Sequence, residues 1–454
     1  MAETFTKQQS KPPSRWTSKG ASSTLAISLL ALSLLACRQQ SVRSPATLSY
    51  FRLGWSQPDE LPTAEPLSVQ FTKKTGIRLR PLPVPENTLD QLDLSRKLLQ
   101  AGAPEPDVLG VDFIWSGVLA DHLIDLRPYL STELSMLSPQ LVSSYEVDGK
   151  MVAIPYQVQV GVLEYRTDLL REYGYDHPPK TWDELETMAE RIQAGERAKG
   201  KKDFWGYVWQ GADAEALTCN AIEWQIAEGG GQIIENNRTI SVNNPAAIRS
   251  WQRAKRWIGW ISPRSVIAYR ELDSMNVFDS GEAAFNRVWG GTTITRTETS
   301  RQLHWRSTMP VGKTGYTSIP GGPRGWAGAL GGSGLAVSRH SVHQQEAVEL
   351  VRFLIRTQIQ SHQTIDNEPP LESKVSGEPL IDNMPSDAKR FAEQDSGVVS
   401  RPSSLTGRKY EEVTKAYIGA VHSVLAGEKA APQAAAELQD YLMKITRFHA
   451  GPPK

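Results

Sequence analysis

The stretch that decides the fold class is QLDLSRKLLQAGAPEPDVLGV, which occupies residues 91–111. Its first half is compatible with a helix, and its last five residues, DVLGV, are typical of a short buried strand. The same alternation precedes it, because strand-like runs at Leu48 to Leu53 and Ile77 to Val84 flank a helix-like segment from Pro66 to Gly76. Strands that alternate with helices predict an α/β architecture with parallel strands.

Helix starts are marked further along the chain. TWDE at residues 181–184 has the spacing of a capping box, in which the Thr hydroxyl and the Glu carboxylate each bind a free backbone amide. NP at residues 244–245 places a capping residue before a proline at the first helical position. SVHQ at residues 341–344 repeats the capping-box spacing. Helices are therefore predicted to begin at these three points.

Composition and charge are those of a globular chain. Of its 454 residues, 39% are hydrophobic and 22% are charged, which is typical of a protein with a sizeable core. Residues 1–36 contain four basic residues and one acidic residue, so the rest of the chain holds 46 basic and 49 acidic residues (50 minus 4 and 50 minus 1). This mildly acidic body lacks the basic footprint of a nucleic-acid-binding protein. The 13 Trp residues supply aromatic surface for packing or for stacking on a ligand.

The N-terminus is predicted to direct export. Residues 1–36 combine a basic flank with the apolar run TLAISLLALSLLA, which is shorter than the roughly 20 residues of a bilayer span and fits a signal peptide. LLAC at residues 34–37 resembles the bacterial lipobox, whose Cys is lipidated. We therefore expect a lipid anchor at Cys37, a flexible tether over residues 37–47, and a location in the periplasm or at the cell surface. An ordinary signal peptide before a chance Cys, or an uncleaved anchor, is the alternative.

Two stretches resemble enzyme motifs, but each lacks a glycine at the position that the motif requires. GGSG at residues 331–334 lacks the further glycine that a dinucleotide fingerprint or a nucleophile elbow requires. GKT at residues 312–314 lacks the earlier glycine of a phosphate loop. With 2 Cys and 8 scattered His residues, we expect neither a metal site nor a cofactor. The 50 acidic residues leave open a glycosidase that works with two carboxylates.

Seven stretches together resemble one protein family. They are FTKKTGI (71–77), PDV with Asp112 and Trp115 (106–115), LIDLRPYL (123–130), AIPY (153–156), LEYRTDLL (163–170), TWDEL (181–185) and FDSGEAAF (278–285). In order and separation they resemble the extracellular solute-binding proteins that serve ABC-type sugar importers. WQG at residues 209–211, the segment 215–224 and SRP at residues 400–402 are similar to the trehalose- and maltose-binding branch.

The resemblance implies a two-lobed α/β fold of the periplasmic-binding-protein kind (type II-like), with a ligand cleft between lobes joined by a hinge that the chain crosses several times. The implied domains are residues 48–156 with 317–362 for lobe 1, and residues 157–316 with 363–454 for lobe 2. The implied hinge crossings lie near residues 155–160, 315–320 and 365.

Sugars combine apolar ring faces, which stack on aromatic side chains, with hydroxyl groups, which suit the charge-assisted hydrogen bonds of Asp, Glu and Arg. These needs and the resemblance together indicate a ligand-binding set of Asp112, Glu271, Trp289, Gly332, Arg401, Tyr156, Gln157 and Trp55. Asp112 follows a strand at the end where α/β sheets bind ligands. Arg401 precedes Pro402, which favours an extended backbone.

Each of these residues also has a structural interpretation. Asp112 could cap a helix, Trp289 could belong to a core, and Glu271 could form a surface ion pair. Ordinary packing is the alternative for Trp55 and for the pair at residues 156–157. In the family an aromatic residue often stands where this chain has Ser333, so the sequence leaves the sugar open.

The predicted function is that of a non-catalytic, monomeric receptor that captures a disaccharide or oligosaccharide of the trehalose or maltose type. The partner implied by the resemblance is an ABC import permease, and the lipid anchor would hold the receptor at the membrane. Three alternatives stay open: a surface glycoside hydrolase, a binding protein for a non-sugar or phosphorylated ligand, and a lipoprotein that has lost ligand binding.

Overall fold

The computed structural model describes residues 46–51, 66–85, 88–137, 139–290, 313–361 and 397–454. The described residues all belong to one compact unit, Ala46–Lys454. Cys37, Trp55, the predicted signal peptide and the predicted hinge crossing near residue 365 lie outside the described residues. Within the described ranges, no helix is both long and apolar enough to span a bilayer.

Helices and strands alternate along the described chain. The helices are α1 (Leu67–Thr75), α2 (Thr88–Gln100), α3 (Ser116–Leu119), α4 (Arg127–Ser135), α5 (Pro139–Ser144), α6 (Thr167–Glu172), α7 (Trp182–Ala198), α8 (Glu215–Ala227), α9 (Pro245–Trp257), α10 (Glu271–Asp279), α11 (Gln344–Ser361), α12 (Ser403–Thr406), α13 (Tyr410–Leu425) and α14 (Ala431–Thr446). The strands are β1 (Thr47–Tyr50), β2 (Arg78–Pro81), β3 (Val108–Asp112), β4 (Glu146–Val147), β5 (Lys150–Met151), β6 (Ile154–Arg166), β7 (Trp205–Val208), β8 (Thr239–Ile240), β9 (Ala283–Gly290), β10 (Thr314–Ser318), β11 (Gly328–Val337), β12 (Val398–Val399) and β13 (His449–Ala450).

The α/β alternation predicted for the N-terminal part is confirmed. Strand β1 lies between β2 and β3 and is parallel to both. Helix α1 ends where the sequence indicates, because Gly76 adopts a left-handed conformation with φ 78° and its N–H donates to the Thr72 carbonyl oxygen at 2.8 Å. A residue with a Cβ would adopt this conformation only with strain, which explains the glycine at this position.

Two of the predicted helix starts are capped as expected. At α7 the Thr181 hydroxyl accepts a hydrogen bond from the backbone N–H of Glu184 at 3.2 Å. At α9 the Asn244 side-chain oxygen accepts from the N–H groups of Ala246 and Ala247 at 2.9 and 3.0 Å. Both caps satisfy amides that a helix cannot pair internally, so local sequence alone fixes these two helix starts.

The third predicted start differs because its capping serine has a tertiary partner. The Ser341 hydroxyl donates to the buried carboxylate of Asp107 and accepts from the His343 N–H at 2.9 Å. Helix α11 begins only at Gln344, three residues after the predicted cap. The distant Asp107 could not be known from the local spacing of residues 341–344.

One mixed sheet organises the described residues. Its central path runs β2-β1-β3-β11-β6-β9-β7, with β10 added to β6 and β12 added to β11. Strand β11 is antiparallel to both β3 and β6, and β6 is antiparallel to β9. The sheet therefore continues without a break from the N-terminal α/β unit to the segment that follows β6.

Two large hydrophobic cores pack on this sheet, the first including Leu48, Val108 and Leu350 and the second including Trp182, Ile222 and Tyr417. Strands β6 and β11 each contribute to both. In β6, Ile154 and Tyr156 pack in the first core, whereas Leu163 and Tyr165 pack in the second. In β11, Ala329 belongs to the second core, and Leu335 and its neighbours belong to the first. The middle parts of these two adjacent strands therefore lie where the two cores meet.

The domain bounds derived from the sequence stay a prediction. The packing of the two cores gives information about one of them, the start of the second lobe 1 segment at residue 317. Residues 317–362 are expected in lobe 1, yet Ile319 and Ala329 pack with the second core, and Leu330 is the first residue of β11 in the first core. This favours a second crossing within β11 rather than near residues 315–320. The reason is that β10 pairs with the part of β6 that already lies in the second core.

Candidate functional site

A row of polar side chains crosses the sheet where the two cores meet. Ser333 on β11 lies opposite Asp112 at the end of β3 and opposite Gln157 on β6. Residues directly opposite each other on neighbouring strands project to the same face of a sheet. The Ser333 hydroxyl is buried and has no hydrogen-bond partner among the described residues. The row therefore offers at least one unused polar group.

Asp112 combines a structural contact with an exposed carboxylate. One carboxylate oxygen accepts from the Ile114 N–H at 3.1 Å and so caps the short 3-10 helix Phe113–Trp115, yet the side chain is 25% exposed. The pKa of Asp112 is raised above its ordinary value, because desolvation outweighs the attraction of the Arg401 guanidinium. Asp112 therefore caps a short helix and also keeps part of its carboxylate exposed.

Arg401 joins elements of the two cores. Its Nη1 donates to Glu215 Oε1 at 2.9 Å, and its Nη2 donates to the Leu330 carbonyl oxygen at 3.0 Å and lies 3.7 Å from Asp112 Oδ1. The side chain is only 4% exposed, and its Nε has no partner within the described ranges. Of these two charged groups, the partly exposed Asp112 carboxylate is the one that can accept a hydrogen bond from a polar ligand, with the buried guanidinium beside it.

Glu215 contacts Arg401, although the sequence analysis did not name it among the ligand-binding residues. It is the first residue of α8 and also accepts from the hydroxyl groups of Tyr410 and Thr414, the latter at 2.7 Å. Tyr410 packs in the first core and α8 in the second, so this carboxylate also connects the two. Its place in the stretch that resembles the trehalose- and maltose-binding branch was the available signal.

Trp289 lies on the same face of the sheet, on β9 next to Gly161 of β6. Its indole is partly buried and covers Gly331, where a Cβ would lie 2.6 Å from the ring. Gly331 precedes Ser333 by two residues on β11, so the indole and the polar row share one face. The glycine therefore provides the space that lets an aromatic ring lie flat beside the row.

A buried ion pair that the sequence analysis did not identify supports this indole. Arg287 and Glu223 are fully buried, with Arg287 Nη2 2.6 Å from Glu223 Oε1 and Nε 3.2 Å from Oε2. Burial alone lowers the pKa of Arg287, but the Glu223 carboxylate raises it overall. The guanidinium carbon lies 4.1 Å from the centroid of the Trp289 ring. Arg287 was missed because its sequence gives no sign of a partner 64 positions away.

The remaining predicted residues are placed in different surroundings. Tyr156 packs within the first core, and Gln157 is buried in the polar row. Gly332 has a φ of 111°, which only glycine adopts readily, between Gly331 and Ser333. Glu271 begins α10, and its side chain forms no ion pair or hydrogen bond within the described part of the chain. The structure thus groups Asp112, Arg401, Trp289, Gly332 and Gln157, and the role of Glu271 stays a prediction.

No cluster of three or more His, Cys, Asp or Glu side chains that could hold a metal ion occurs among the residues that the structure describes. Cys219 is buried in α8, and desolvation raises the pKa of its thiol to about 12.

Comparison with known proteins assigns the family. The sequence profile of the bacterial extracellular solute-binding proteins matches residues 55–361. The chain belongs to this family. This solute-binding protein is 36% identical to a probable ABC transporter-binding protein of Deinococcus radiodurans over 379 residues, which cover 83% of this chain and 88% of the relative. The resemblance seen in the sequence is thereby confirmed, and the relatives are binding proteins rather than enzymes.

Two further relatives have names that state a ligand. A solved structure described as maltose-bound MalE3 of T. maritima is 27% identical and superimposes with a TM-score of 0.75, covering 88% of this solute-binding protein and 100% of that chain. The maltodextrin-binding protein MdxE of Bacillus subtilis is 25% identical over 275 residues, which are 58% of this chain and 61% of the relative. The superposition confirms the predicted two-lobed α/β fold.

Proposed function

We propose that this solute-binding protein captures a neutral disaccharide or oligosaccharide of the maltose or trehalose type and presents it, as a monomer, to the permease of an ABC importer. The observation that supports this best is the single sheet face on which the Trp289 indole lies beside Asp112 and Arg401. An aromatic plane next to charge-assisted donors and acceptors matches a sugar, whose rings are apolar on their faces and polar at their edges.

The charges on this face favour a neutral ligand over a phosphorylated one. The described ionised groups are the carboxylates of Asp112, Glu215 and Glu223 and the guanidinium groups of Arg287 and Arg401. The two guanidinium groups are already paired with carboxylates, and the sum is one negative charge. A phosphate would require uncompensated positive charge, so the non-sugar, phosphorylated alternative has no support among these residues.

Binding to residues 38–454 can be measured by calorimetry with maltose, trehalose, maltotriose and glycerol 3-phosphate. We expect saturable binding of at least one of the three sugars and none of the phosphate. Trp289→Ala should weaken that binding about 30-fold, since losing an aromatic surface of this size removes roughly 2 kcal/mol. Trp260→Ala is the matched control, because Trp260 is a partly buried tryptophan that packs against the second core and is hydrogen-bonded to Glu190 at 2.9 Å.

The outcomes separate the open alternatives. Binding of glycerol 3-phosphate but of no sugar would reject the neutral-sugar assignment. Equal losses in Trp289→Ala and Trp260→Ala would reject the stacking role of Trp289. Recovery of shortened sugars after incubation would reject a pure receptor and support the glycosidase alternative.

We further propose that Cys37 carries the lipid anchor and that residues 37–47 form the tether. Membership of an extracellular family supports export. The apolar run directly before Cys37 supports lipidation of this cysteine. In a bacterial host, Cys37→Ser should move the protein from the membrane fraction to the soluble exported fraction and abolish incorporation of labelled palmitate. Unchanged membrane association and labelling in Cys37→Ser would contradict the anchor.

A further inference from the structure

The buried Arg287–Glu223 pair has no exposed atom, yet it contacts the one aromatic side chain that the proposed function needs. Arg287 and Trp289 are two residues apart on β9, so their side chains project to the same face of the sheet. A planar guanidinium can stack on an indole, whereas an ammonium group cannot. The guanidinium therefore occupies one side of the ring at van der Waals distance.

Glu223 fixes the orientation of that guanidinium. It binds both Nε and Nη2 of Arg287, so the guanidinium plane cannot rotate without breaking a charged hydrogen bond. The same carboxylate oxygen, Oε1, also accepts from the backbone N–H of Ala329 on β11 at 3.0 Å. One carboxylate thus ties α8, β9 and β11 together two residues before Gly331.

The neighbouring strand β6 has a glycine next to the ion pair, where a larger residue would collide with it. Gly161 on β6 is paired with Trp289, and a Cβ at Gly161 would overlap both the Glu223 carboxylate and the Arg287 guanidinium. Gly331, on the next strand beyond β6, is covered by the indole itself. The ion pair therefore packs against a glycine of β6, and the ring packs against a glycine of β11.

We propose that the Arg287–Glu223 pair is a positioning element for ligand recognition: the guanidinium stacks on Trp289 and holds its indole in the orientation in which the exposed part of the ring meets a sugar. This rests on the proposed function, because it assigns Trp289 to ligand stacking. Arg287 and Glu223 touch no ligand in this arrangement and act through the ring. The same pair also links the ring to β11, the strand that carries Ser333.

The first test observes the ring without ligand. Residues 38–454 are labelled with 5-fluorotryptophan, and the fluorine line of Trp289 is assigned by its loss in Trp289→Phe. We expect Arg287→Lys to shift and broaden this line, because the ammonium group keeps the charge but loses the planar contact. Arg166→Lys is the matched control, since Arg166 forms a two-point ion pair with Asp168 at 2.8 and 2.6 Å at the far end of β6. An unchanged Trp289 line in Arg287→Lys overturns the proposal.

The second test is a double-mutant cycle with maltose and trehalose. In the presence of Trp289, Arg287→Lys should weaken binding about tenfold; in the Trp289→Ala background it should change the Kd less than about twofold. An equal loss in both backgrounds would mean that Arg287 acts on the fold and not on the ring, and would overturn the proposal. If Arg287→Lys does not fold, Glu223→Gln replaces it in both tests.

The two hypotheses fail in distinguishable ways. If the wild-type chain binds neither maltose nor trehalose, the proposed function fails for these sugars, and the fluorine line alone decides whether the ion pair positions the ring. If Trp289→Ala abolishes measurable binding, the stacking role of Trp289 stands and the fluorine line again decides the role of Arg287.

Discussion

At the scale of single residues, Asp112 illustrates a conflict between stability and binding. A carboxyl whose pKa is raised by folding stabilises the fold when it is protonated, and this contribution is lost as the pH rises through the folded-state pKa. Once ionised, Asp112 is therefore less favourable to the ligand-free fold than it is when protonated. The same ionised group is the acceptor that a sugar hydroxyl would use.

Asp112→Asn is therefore expected to raise the melting temperature of the ligand-free protein at pH 7. It should also weaken sugar binding about 10- to 100-fold, because a hydrogen bond to a charged acceptor is replaced by a hydrogen bond to a neutral one. Wild-type affinity should also fall as the pH drops into the range of the raised Asp112 pKa, and Asp112→Asn should remove that pH dependence. Calorimetry and thermal melting between pH 4 and pH 8 measure both effects. Asn is chosen because its side chain can also cap residues 113–115. A lower melting temperature with unchanged affinity would contradict this role.

Cys219 is the second residue whose behaviour follows from burial. Because its thiol is fully buried and desolvation raises its pKa to about 12, it is almost entirely un-ionised at pH 8. In residues 38–454, where Cys219 is the sole cysteine, we expect a thiol reagent such as Ellman's reagent to react at least 100-fold more slowly than in 8 M urea. Cys219→Ser gives the background, and rapid reaction of the native protein would show that α8 opens readily.

At the scale of elements, β11 determines whether the aromatic ring and the polar row can share a face. Gly331→Ala places a methyl group 2.6 Å from the Trp289 ring, which must then move. We expect sugar affinity to fall about tenfold or more while the melting temperature falls by a few degrees, because the ring is partly exposed and can relocate. Fluorescence titration with the sugar found in calorimetry, together with thermal melting, checks this.

Gly419→Ala in α13 is the control for that change, because a Cβ there has no atom within 4 Å. It should leave affinity unaltered and slightly stabilise the helix. If Gly331→Ala binds as tightly as Gly419→Ala, the close packing of the ring on β11 is irrelevant to the ligand.

At the scale of the whole molecule, Arg401 couples the two cores. Its guanidinium contacts α8, which packs in the second core, and the Leu330 carbonyl oxygen and Asp112, which belong to the first-core part of the sheet. A lysine could reach one of these groups but not all of them. Loss of the bridge should therefore be felt on both sides of the region where the cores meet.

Arg401→Lys is expected to speed hydrogen exchange both in residues 112–116 and in the first turn of α8. It should lower the free energy of unfolding by about 2–4 kcal/mol, since a lysine cannot keep all three contacts of the buried guanidinium. Exchange monitored by mass spectrometry and urea unfolding measure these effects. Arg166→Lys removes the two-point contact with Asp168 at the end of β6 that packs with the second core, and it should speed exchange only there. Faster exchange on one side alone in Arg401→Lys would show that the bridge does not couple the cores.

The sequence predicted those features that depend on neighbours along the chain. The C-terminal end of α1 and the starts of α7 and α9 follow from Gly76, Thr181 and Asn244, because a helix terminus is satisfied by groups within a few residues. The order of family-like stretches also predicted the two-lobed fold and brought Asp112, Trp289 and Arg401 forward as site residues.

The α/β class, the family resemblance and the candidate residues can be read from the chain, since they depend on periodicity, capping and motif order. Which distant groups share an environment follows from the folded arrangement alone. The pairing of Arg287 with Glu223, the Ser341 contact that delays α11, and the bridging place of Glu215 depend on strand register and on burial. The physical reason is that a charged pair forms in a core only when packing brings both groups together, and local sequence contains no record of that distance.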